Sequence, residues 1–238
     1  MPAPDARLYQ RLGEIAALIH TRTQSWTPPA GYHRIEWGWE ATFGTGWNNY
    51  YGKHYWECDL LSASDIHDID ACQTLIGRRL AAFGTGPKRY GMIHSDLRPA
   101  NIIAHHDVLT VLDFDDCGRG WYLTDIAGIV GLDEHRADLA QVLEAVVTGY
   151  RRYRELDEDD VREIATFVMI RRIGLLEALQ YHLDNVVPGE GESFELCPEI
   201  AAFYAKGTAV LARRYLKQYA HAPLARPESG EPTEQDAA

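Results

Sequence analysis

The sequence predicts an α+β fold that is predominantly α-helical, with one small β region near its middle. Three observations support this class. Apolar residues recur at helical spacing in long segments on both sides of the middle of the chain. The stretch from residue 90 to 112 is instead rich in short apolar and β-branched runs, which are typical of strands. The 238 residues are 46% hydrophobic, which suffices for a sizeable core in one domain or two small ones.

The first two helices are predicted from their caps and their apolar spacing. Asp5 is expected to cap a helix that ends near residues 21–23. Ser62 or Ser64 is expected to cap a second helix, from about Asp65 to Phe83. The predicted inward face of the first helix comprises Leu8, Leu12, Ile15 and Ile19, and Gly84 and Gly86 are expected to end the second helix.

An aromatic-rich stretch separates these two helices. It runs from Trp26 to Trp56 and contains five of the six tryptophans. One interpretation is a wall that stacks on a substrate or covers its cationic group. The alternative, which we favour, is core and helix-packing surface.

The central stretch predicts three short strands around a polar loop. The first strand is Tyr90 to Ile93, and the loop spans residues 94–101, where Pro99 argues against regular structure. The second strand is Ile102 to Ala104. After a turn at residues 105–107 comes the third strand, Val108 to Leu112.

Three helices and a tail are predicted beyond this stretch. The helices run from Leu139 to Tyr153, from about Glu158 to Leu183 and from Glu199 to Tyr219, with Asp157 as the cap of the second. Residues 222–238 are rich in proline, glutamate and small residues, so we expect a disordered tail after a folded domain of residues 1–221.

Polar residues in the central stretch have the spacing that phosphoryl transfer needs. The loop reads H-S-D-L-R-P-A-N, and the third strand ends in V-L-D-F-D-D. Transfer of a γ-phosphoryl group requires a positioned nucleophile and cations that absorb charge on the phosphate oxygens. Asp96 could accept the proton of an attacking hydroxyl. Asn101 and Asp113 could offer oxygens to Mg²⁺, which needs only one or two carboxylates besides phosphate oxygens.

These motifs resemble the catalytic core of the aminoglycoside phosphotransferase and choline kinase superfamily, a branch of the protein-kinase-like fold. The wording from Asp113 to Ala127, D-F-D-D-C-G-R-G-W-Y-L-T-D-I-A, is most similar to bacterial phosphotransferases of the homoserine-kinase and hydroxylysine-kinase type. The resemblance implies a kinase-like large (C-terminal) lobe with a small catalytic β-hairpin region. It also implies ATP and Mg²⁺ as cofactors.

The family's functional residues can be assigned to matching positions of the two motifs in this sequence. The resemblance implies that Asp96 is the catalytic base, that His94 buttresses the loop, and that Asn101 and Asp113 bind the metal and nucleotide. Asp125 would hold the catalytic loop through backbone hydrogen bonds. Two positions stay open: Asp115 is a second metal ligand or a solvated turn carboxylate. Arg98 contacts the γ-phosphate or forms a salt bridge to a nearby acid, since a guanidinium suits both.

The sequence contains neither of the parts expected of a nucleotide-covering β lobe. Gly44-Thr45-Gly46 does not extend to G-x-G-x-x-G, and none of the four lysines lies in an apolar strand. We therefore expect the N-terminal β lobe to be missing from this sequence. The sequence could be a fragment, the lobe could come from a separate polypeptide, or the chain could be a degenerate relative.

The amino-acid composition limits the classes of binding partner and the location that we expect. A formal net charge of −12 argues against nucleic acid, and no apolar run reaches the length that spans a bilayer. Four scattered cysteines without C-x-x-C predict reduced thiols and a cytoplasmic location. Four acids could line a pocket for an amine-bearing small-molecule acceptor, although each alone is more often a solvated surface acid: Asp133, Glu134, Glu177 and Asp184.

These observations leave three functional hypotheses. The first is an ATP- and Mg²⁺-dependent kinase module for a small-molecule hydroxyl, slow or inactive alone because its nucleotide-covering lobe is absent. The second is a non-catalytic ligand-binding protein. The third is a protein Ser/Thr kinase of the atypical bacterial type.

Overall fold

The computed structural model describes residues 6–44, 54–184 and 198–227. Seven α-helices lie in these ranges: α1 (Ala6–Gln24), α2 (Trp39–Phe43), α3 (Ala63–Phe83), α4 (Leu123–Ile129), α5 (Leu139–Tyr150), α6 (Glu158–Asp184) and α7 (Pro198–Tyr219). Five short strands accompany them: β1 (Ile35–Trp37), β2 (Tyr90–Ile93), β3 (Ile102–His105), β4 (Val108–Val111) and β5 (Gly118–Trp121). The described ranges also contain two short 3₁₀ turns, Tyr55–Glu57 and Pro99–Asn101.

Local sequence explains where the long helices start. The Ser62 hydroxyl accepts the N–H of Asp65, and the Asp65 carboxylate accepts the N–H of Ser62, so the two residues form a reciprocal cap at α3. Asp157 and Asp160 make the same exchange at α6. Of the two caps proposed for α3, the structure therefore selects Ser62. The predicted cap of α1, Asp5, lies outside the described residues.

The chain divides into two compact units. The first comprises described residues 6–38, 78–168 and 224–227, and the second comprises 39–44, 54–77, 169–184 and 198–223. Both α3 and α6 contribute residues to each unit.

In the first unit, α1 and α5 pack so closely that backbone atoms of one helix contact glycines of the other. A Cβ on Gly13 would lie 2.0 Å from the Val146 carbonyl oxygen, and one on Gly149 would overlap the Gln10 carbonyl. The buried residues of α1 include Leu12, Gly13, Ala16, Ala17 and His20, and of the predicted inward face only Leu12 is buried. Leu8, Ile15 and Ile19 are only partly buried, so the inward face is rotated by about one residue from the prediction.

Two small sheets build the β region of this unit. β3 and β4 form an antiparallel hairpin in which Ile102 pairs with Val111 and His105 with Val108. β1, β5 and β2 form a three-stranded sheet in that order, with β1 parallel and β2 antiparallel to β5. The sequence predicted β2, β3 and β4 nearly to the residue.

The strands β1 and β5 were not predicted. β5 reads G-R-G-W, which has no strand-like alternation. Gly118 leaves room for the neighbouring strand, because a Cβ at this position would lie 2.3 Å from the Ile35 carbonyl oxygen of β1. This strand exists through pairing with distant residues, which local pattern does not reveal.

A buried ion pair links α3 to α6 within the first unit. Both Arg79 and Glu163 are almost fully buried, with Arg79 Nε donating to Glu163 Oε2 at 3.0 Å. The Thr166 hydroxyl donates to the same carboxylate oxygen at 2.7 Å. The donors satisfy the buried carboxylate, as a charge in this position requires.

The second unit has its own aromatic and cationic core. Tyr55 is 1% exposed and donates its hydroxyl to Asp70 Oδ1 at 2.6 Å. The buried Arg172 guanidinium stacks 3.3 Å from the centre of the Tyr204 ring and donates to the Thr208 hydroxyl. These contacts lie among residues 55–77 and 169–223.

The end of the described chain corrects one prediction. Residues 222–227 were expected to be disordered, yet Ala225 is 4% exposed and Arg226 donates to Asp159 through both its N–H and its Nε. The Arg226 carbonyl in turn accepts Arg89 Nη1 at 2.8 Å. Specific charge pairing outweighs the polar composition here, and the rest of the predicted tail, residues 228–238, lies outside the described residues.

Among the residues that the structure describes, no helix combines the length and the apolar character needed to cross a bilayer.

Candidate functional site

The loop after β2 is held in shape by the imidazole of His94. This side chain is fully buried, and its Nδ1 accepts the Asp96 N–H at 3.3 Å. Its Nε2 lies 2.9 Å from the Leu112 carbonyl oxygen, so Nε2 carries the proton and donates it there. His94 therefore ties the loop to Leu112, the residue that follows β4, and the buttressing role that the family resemblance implies stays a prediction.

The carboxylate of Asp96 is held by two donors. Asn101 Nδ2 donates to Asp96 Oδ2 at 2.7 Å, and Arg98 Nε donates to the same oxygen at 3.0 Å. Asp96 is partly buried, and the Arg98 side chain is 31% exposed. Of the two alternatives for Arg98, the structure contains the salt bridge, and its acid partner is the predicted base itself. Contact with a phosphate stays a prediction.

The amide of Asn101 has a defined orientation. Its Nδ2 faces two acceptors, the backbone carbonyl and the carboxylate of Asp96, so nitrogen and oxygen are distinguished by their partners. This leaves Oδ1 as the acceptor atom available to a cation. The Asn101 carbonyl also accepts the N–H of Leu112 at 2.9 Å, which ties the 3₁₀ turn to the strand opposite it.

Asp113 follows Leu112 directly and lies at the base of the same hairpin. It is exposed and has a φ of 61°, a left-handed conformation that aspartate tolerates better than most residues. Because the N–H of Leu112 donates to the Asn101 carbonyl, Asp113 is the residue that directly follows the hydrogen-bond partner of Asn101. Asp115 is also exposed, and its backbone carbonyl accepts Arg34 Nη1 at 3.3 Å.

These donors suit Mg²⁺ bound together with a nucleotide. No group of three or more His, Cys, Asp or Glu side chains within the described ranges could hold a metal ion by itself. One amide oxygen and one or two exposed carboxylates remain, and Mg²⁺ commonly takes such a short protein ligand set while keeping waters and phosphate oxygens. Asn101 and Asp113 would hold the ion, and a role for Asp115 as a further ligand stays a prediction.

Asp125, in the first turn of α4, is fully buried and accepts the loop amides. Its Oδ1 accepts the N–H of Ser95 at 2.7 Å, and its Oδ2 accepts the N–H of His94 at 2.9 Å. Burial acts to raise the pKa of Asp125, but the hydrogen bond and charge interaction with His20 and the two amides outweigh it and hold the pKa below its ordinary value. The carboxylate is therefore ionised, and its role in holding a catalytic loop, which the family resemblance implies, stays a prediction.

His20 and Tyr150 extend this cluster and were not predicted as part of it. The sequence identified His20 only as a packed histidine. Its Nε2 lies 2.9 Å from Asp125 Oδ2, and its Nδ1 lies 2.9 Å from the Tyr150 hydroxyl. The available signal was the position of His20 at the end of the apolar face of α1, but nothing in the sequence connects that face to Asp125.

The four acids considered for a substrate pocket differ in their surroundings. Asp133 forms an ion pair with Arg136, whereas Glu134 is buried. Both belong to the first unit, whereas the buried Glu177 belongs to the second. The side chain of Asp184 lies outside the described ones, so an acidic pocket for an amine stays a prediction.

The aromatic stretch supports the packing interpretation only in part. Trp37 donates to the Asp116 carbonyl at 2.7 Å, and Trp39 packs against Phe43. Trp26 and Trp56 are 36% and 42% exposed. Trp47, Tyr50 and Tyr51 lie outside the described residues.

Comparison with known proteins identifies the family. A sequence model described as the phosphotransferase enzyme family matches residues 1–162. Over 112 residues the chain is 29% identical to amicoumacin kinase of Bacillus subtilis (strain 168), a match that covers 43% of this chain and 33% of the relative.

Two solved structures share the fold. The structure of a microcompartment-associated aminopropanol kinase superposes with a TM-score of 0.79 at 35% identity, covering 90% of this chain and 63% of that one. The amicoumacin kinase hAmiN, solved with AMP-PNP, Ca²⁺ and Ami, superposes with a TM-score of 0.60 at 22% identity, covering 86% and 59%. The predicted fold class and family resemblance are confirmed, and the chain spans less than two thirds of the length of each of these relatives.

Proposed function

The chain belongs to the phosphotransferase enzyme family, and from this premise we propose that it supplies the base and the metal ligands of an ATP- and Mg²⁺-dependent small-molecule kinase. The reaction would transfer the γ-phosphoryl group to a hydroxyl. A cytoplasmic location and reduced thiols are part of this proposal.

The observation that carries the proposal is the arrangement of Asp96, Asn101 and Asp113. Asn101 contacts the Asp96 carboxylate at 2.7 Å, and Asp113 follows the residue that is hydrogen-bonded to Asn101. A candidate base and two candidate metal ligands thus lie within one loop and one hairpin. The nucleotide analogue and divalent cation named for hAmiN support the cofactor assignment, although that relative shares only 22% identity.

Each side chain has a distinct role in the proposed step. Asp96 accepts the proton of the acceptor hydroxyl, whose oxygen attacks the γ-phosphorus. The bond from phosphorus to the β–γ bridging oxygen breaks, and ADP leaves. When bound, Mg²⁺ would neutralise charge on the phosphate oxygens. Arg98 holds the Asp96 carboxylate in place and brings a positive charge next to the reacting groups.

The acceptor is proposed to be a small molecule that bears an amine as well as a hydroxyl. Two relatives are named as kinases of aminopropanol and of amicoumacin, and aminopropanol carries both groups. The acidic net charge of −12 is compatible with a cationic acceptor.

The nucleotide-covering β lobe is the part that the proposal places outside this sequence. Loss of the glycine-rich loop and its lysine would weaken ATP positioning, which contributes on the order of 7–11 kcal/mol in favourable cases. We therefore expect the 238-residue chain to transfer phosphate slowly or not at all. Residues encoded upstream of Met1, or a second polypeptide, should restore the rate.

The test is to measure ADP formation from Mg-ATP with a panel of small amino alcohols. The chain alone is compared with a polypeptide extended by the upstream coding sequence. In the active form, Asp96→Asn should lower kcat by roughly 100- to 10,000-fold, the range for loss of a general base. Asp113→Asn should also abolish turnover at ordinary Mg²⁺ concentration.

Asp107→Asn is the matched control. Asp107 is an acid of the same hairpin whose side chain is 92% exposed, and its replacement should leave kcat unchanged. An unaffected rate in Asp96→Asn would contradict the proposed base. Ligand-induced stabilisation without ADP formation in every form would instead indicate a binding protein, and label on a protein acceptor would indicate a protein kinase.

A further inference from the structure

We propose that Trp37 and Arg34 are positioning residues for the proposed metal ligands, because their side chains hold the turn of residues 113–117 from the side of β1. The kinetic consequence of this inference rests on the proposed phosphotransfer function. The structural consequence, a restrained 113–117 turn, does not. For Trp37 this is a third role, distinct from core packing and from a wall that contacts a substrate.

Two side chains, one at each end of β1, donate to consecutive backbone carbonyls of the turn. Trp37, the last residue of β1, donates its indole N–H to the Asp116 carbonyl at 2.7 Å. Arg34, which directly precedes β1, donates through Nη1 to the Asp115 carbonyl at 3.3 Å. The partners are 79 and 81 residues apart in the sequence, so both bonds are tertiary contacts.

The position of the indole is set by the packing of β1 against β5. These strands are parallel, with Ile35 opposite Gly118 and Trp37 opposite Gly120. A Cβ on Gly118 would lie 2.9 Å from Trp37 Cδ1, so the indole lies against this glycine. Strand pairing fixes the backbone of Trp37, and the glycine leaves room for its ring. The indole N–H is therefore held in a fixed direction, towards the Asp116 carbonyl.

The proposed metal ligand Asp113 lies between two sets of hydrogen bonds. On one side of it, the N–H of Leu112 donates to the Asn101 carbonyl at 2.9 Å. On the other side are the two bonds from β1. Asp113 is exposed and has a φ of 61°, so neither burial nor a well-populated backbone region holds it in place. The position of its carboxylate therefore depends on the backbone that is held on each side.

The proposed ligand set tolerates little displacement, because Mg²⁺ requires nearly octahedral geometry with oxygens about 2.0–2.1 Å away. A turn that is free to shift satisfies this geometry in only part of its conformations, and affinity falls by that fraction. The restraint from β1 acts on the bound ground state and on the transition state alike. Loss of the β1 bonds should therefore raise KM for Mg-ATP and leave kcat nearly unchanged.

Three variants test this inference. Trp37→Phe removes the indole N–H and keeps an aromatic ring against Gly118. Trp121→Phe is the matched control, because Trp121 donates its own indole N–H to the Gly84 carbonyl at 2.7 Å, also within the first unit. Each of these two variants loses one tryptophan-to-backbone bond of the same length. Arg34→Gln removes the second donor at an exposed position, where water competes for the bond and a substitution is well tolerated.

The first measurement is amide hydrogen exchange by NMR on the full 238-residue chain, which needs neither nucleotide nor metal. The reporter is the Cys117 amide, which donates to the Phe114 carbonyl at 3.1 Å within the turn. The reference is the Leu112 amide, which donates to Asn101 on the other side of the turn. The ratio of the two exchange rates separates local loosening of the turn from a change in global stability.

We expect the Cys117 amide to exchange about 3- to 10-fold faster in Trp37→Phe, as loss of one hydrogen bond allows, while the Leu112 amide keeps its rate. Arg34→Gln should give a smaller increase, of about twofold. Trp121→Phe should leave the ratio unchanged. An unchanged ratio in Trp37→Phe, or the same change in Trp121→Phe, would overturn the inference. If Trp37→Phe does not fold, an unchanged ratio in Arg34→Gln would overturn it.

The second measurement is kinetic and uses the active form of the enzyme. Trp37→Phe should raise KM for Mg-ATP about 3- to 10-fold, with kcat within about twofold of the unmodified enzyme and KM for the acceptor unchanged. Trp121→Phe should leave both KM values unchanged. A fall in kcat without a rise in KM for Mg-ATP would contradict a role in placing the metal ligands. If no form transfers phosphate, the proposed function fails, whereas the exchange experiment still decides whether β1 holds the turn.

Discussion

Asp113 and Asp125 are acids of the same chain segment, yet their surroundings are opposite. Asp113 is exposed at the base of the hairpin and forms no ion pair with any residue in the described ranges. Asp125 is fully buried and accepts three hydrogen bonds, two of them from the backbone of the loop after β2.

This difference in burial distinguishes a ligand-binding acid from a structural acid, which the sequence motif alone does not do. An exposed carboxylate keeps its charge and its lone pairs available to a cation. A buried carboxylate whose acceptors are all used cannot bind a ligand, but it fixes the backbone that surrounds it. Asp113 is therefore suited to binding and Asp125 to architecture.

The largest expected effect sharpens this comparison directly. Asp125→Ala leaves the donors of His20, His94 and Ser95 without their acceptor, so we expect the free energy of unfolding to fall by about 3–5 kcal/mol. Asp113→Ala should change it by no more than about 0.5 kcal/mol, as is usual for an exposed residue. Urea unfolding followed by circular dichroism measures both, and similar losses in the two variants would break the comparison.

A smaller effect is expected from pH, because His20 belongs to the buried side of the comparison. The pKa of His20 is lowered from its ordinary value of 6.5 in the folded chain. Just below pH 6.5, His20 is therefore protonated in the unfolded chain and still neutral in the folded chain. Stability is therefore unaffected well above pH 6.5 and falls as the pH drops below it, by up to about 1.4 kcal/mol per pH unit. Urea midpoints between pH 8 and pH 5 measure this slope.

The slope should shrink in His20→Gln and persist in a variant of the exposed His67. An identical slope in His20→Gln and in the unmodified chain would show that His20 takes up its proton without cost in the folded state.

The smallest effect concerns the exposed side, at the tip of the hairpin. His105 pairs with Val108, so His106 and Asp107 form a two-residue turn, and His106 has a φ of 52°. Glycine is favoured at the first central position of such turns. His106→Gly should raise the free energy of unfolding by about 0.5 kcal/mol and leave kcat unchanged, whereas Asp113→Gly at a φ of 61° should abolish turnover. A loss of stability in His106→Gly, measured by urea unfolding, would contradict this.

The hairpin and its motif could be predicted because their information is local. β2, β3, β4 and the 3₁₀ turn between them occupy one uninterrupted stretch, and the alternation of β4, the proline and the polar spacing all lie within it. The candidate base and metal ligands were named from that stretch, and the structure brings Asp96 and Asn101 into direct contact. The long helices α3 and α6 were predictable from the caps at their starts and the apolar spacing within them.

The parts that could not be predicted depend on partners distant in sequence. β5 is glycine-rich and becomes a strand only because β1 and β2 pair with it. His20 contacts both Tyr150 and Asp125, which are 130 and 105 residues away from it in the sequence. The segment around Arg226 is ordered by Asp159 and Arg89, and its polar composition gives no indication of this.

By itself, then, the sequence determined the family and identified the polar groups of the loop and the hairpin, because motif spacing and helix periodicity are properties of neighbouring residues. Tertiary structure alone decided which acid is exposed and which is enclosed, and which histidine orients it. Burial and hydrogen-bond partnership arise from elements far apart in the chain, so no local pattern encodes them.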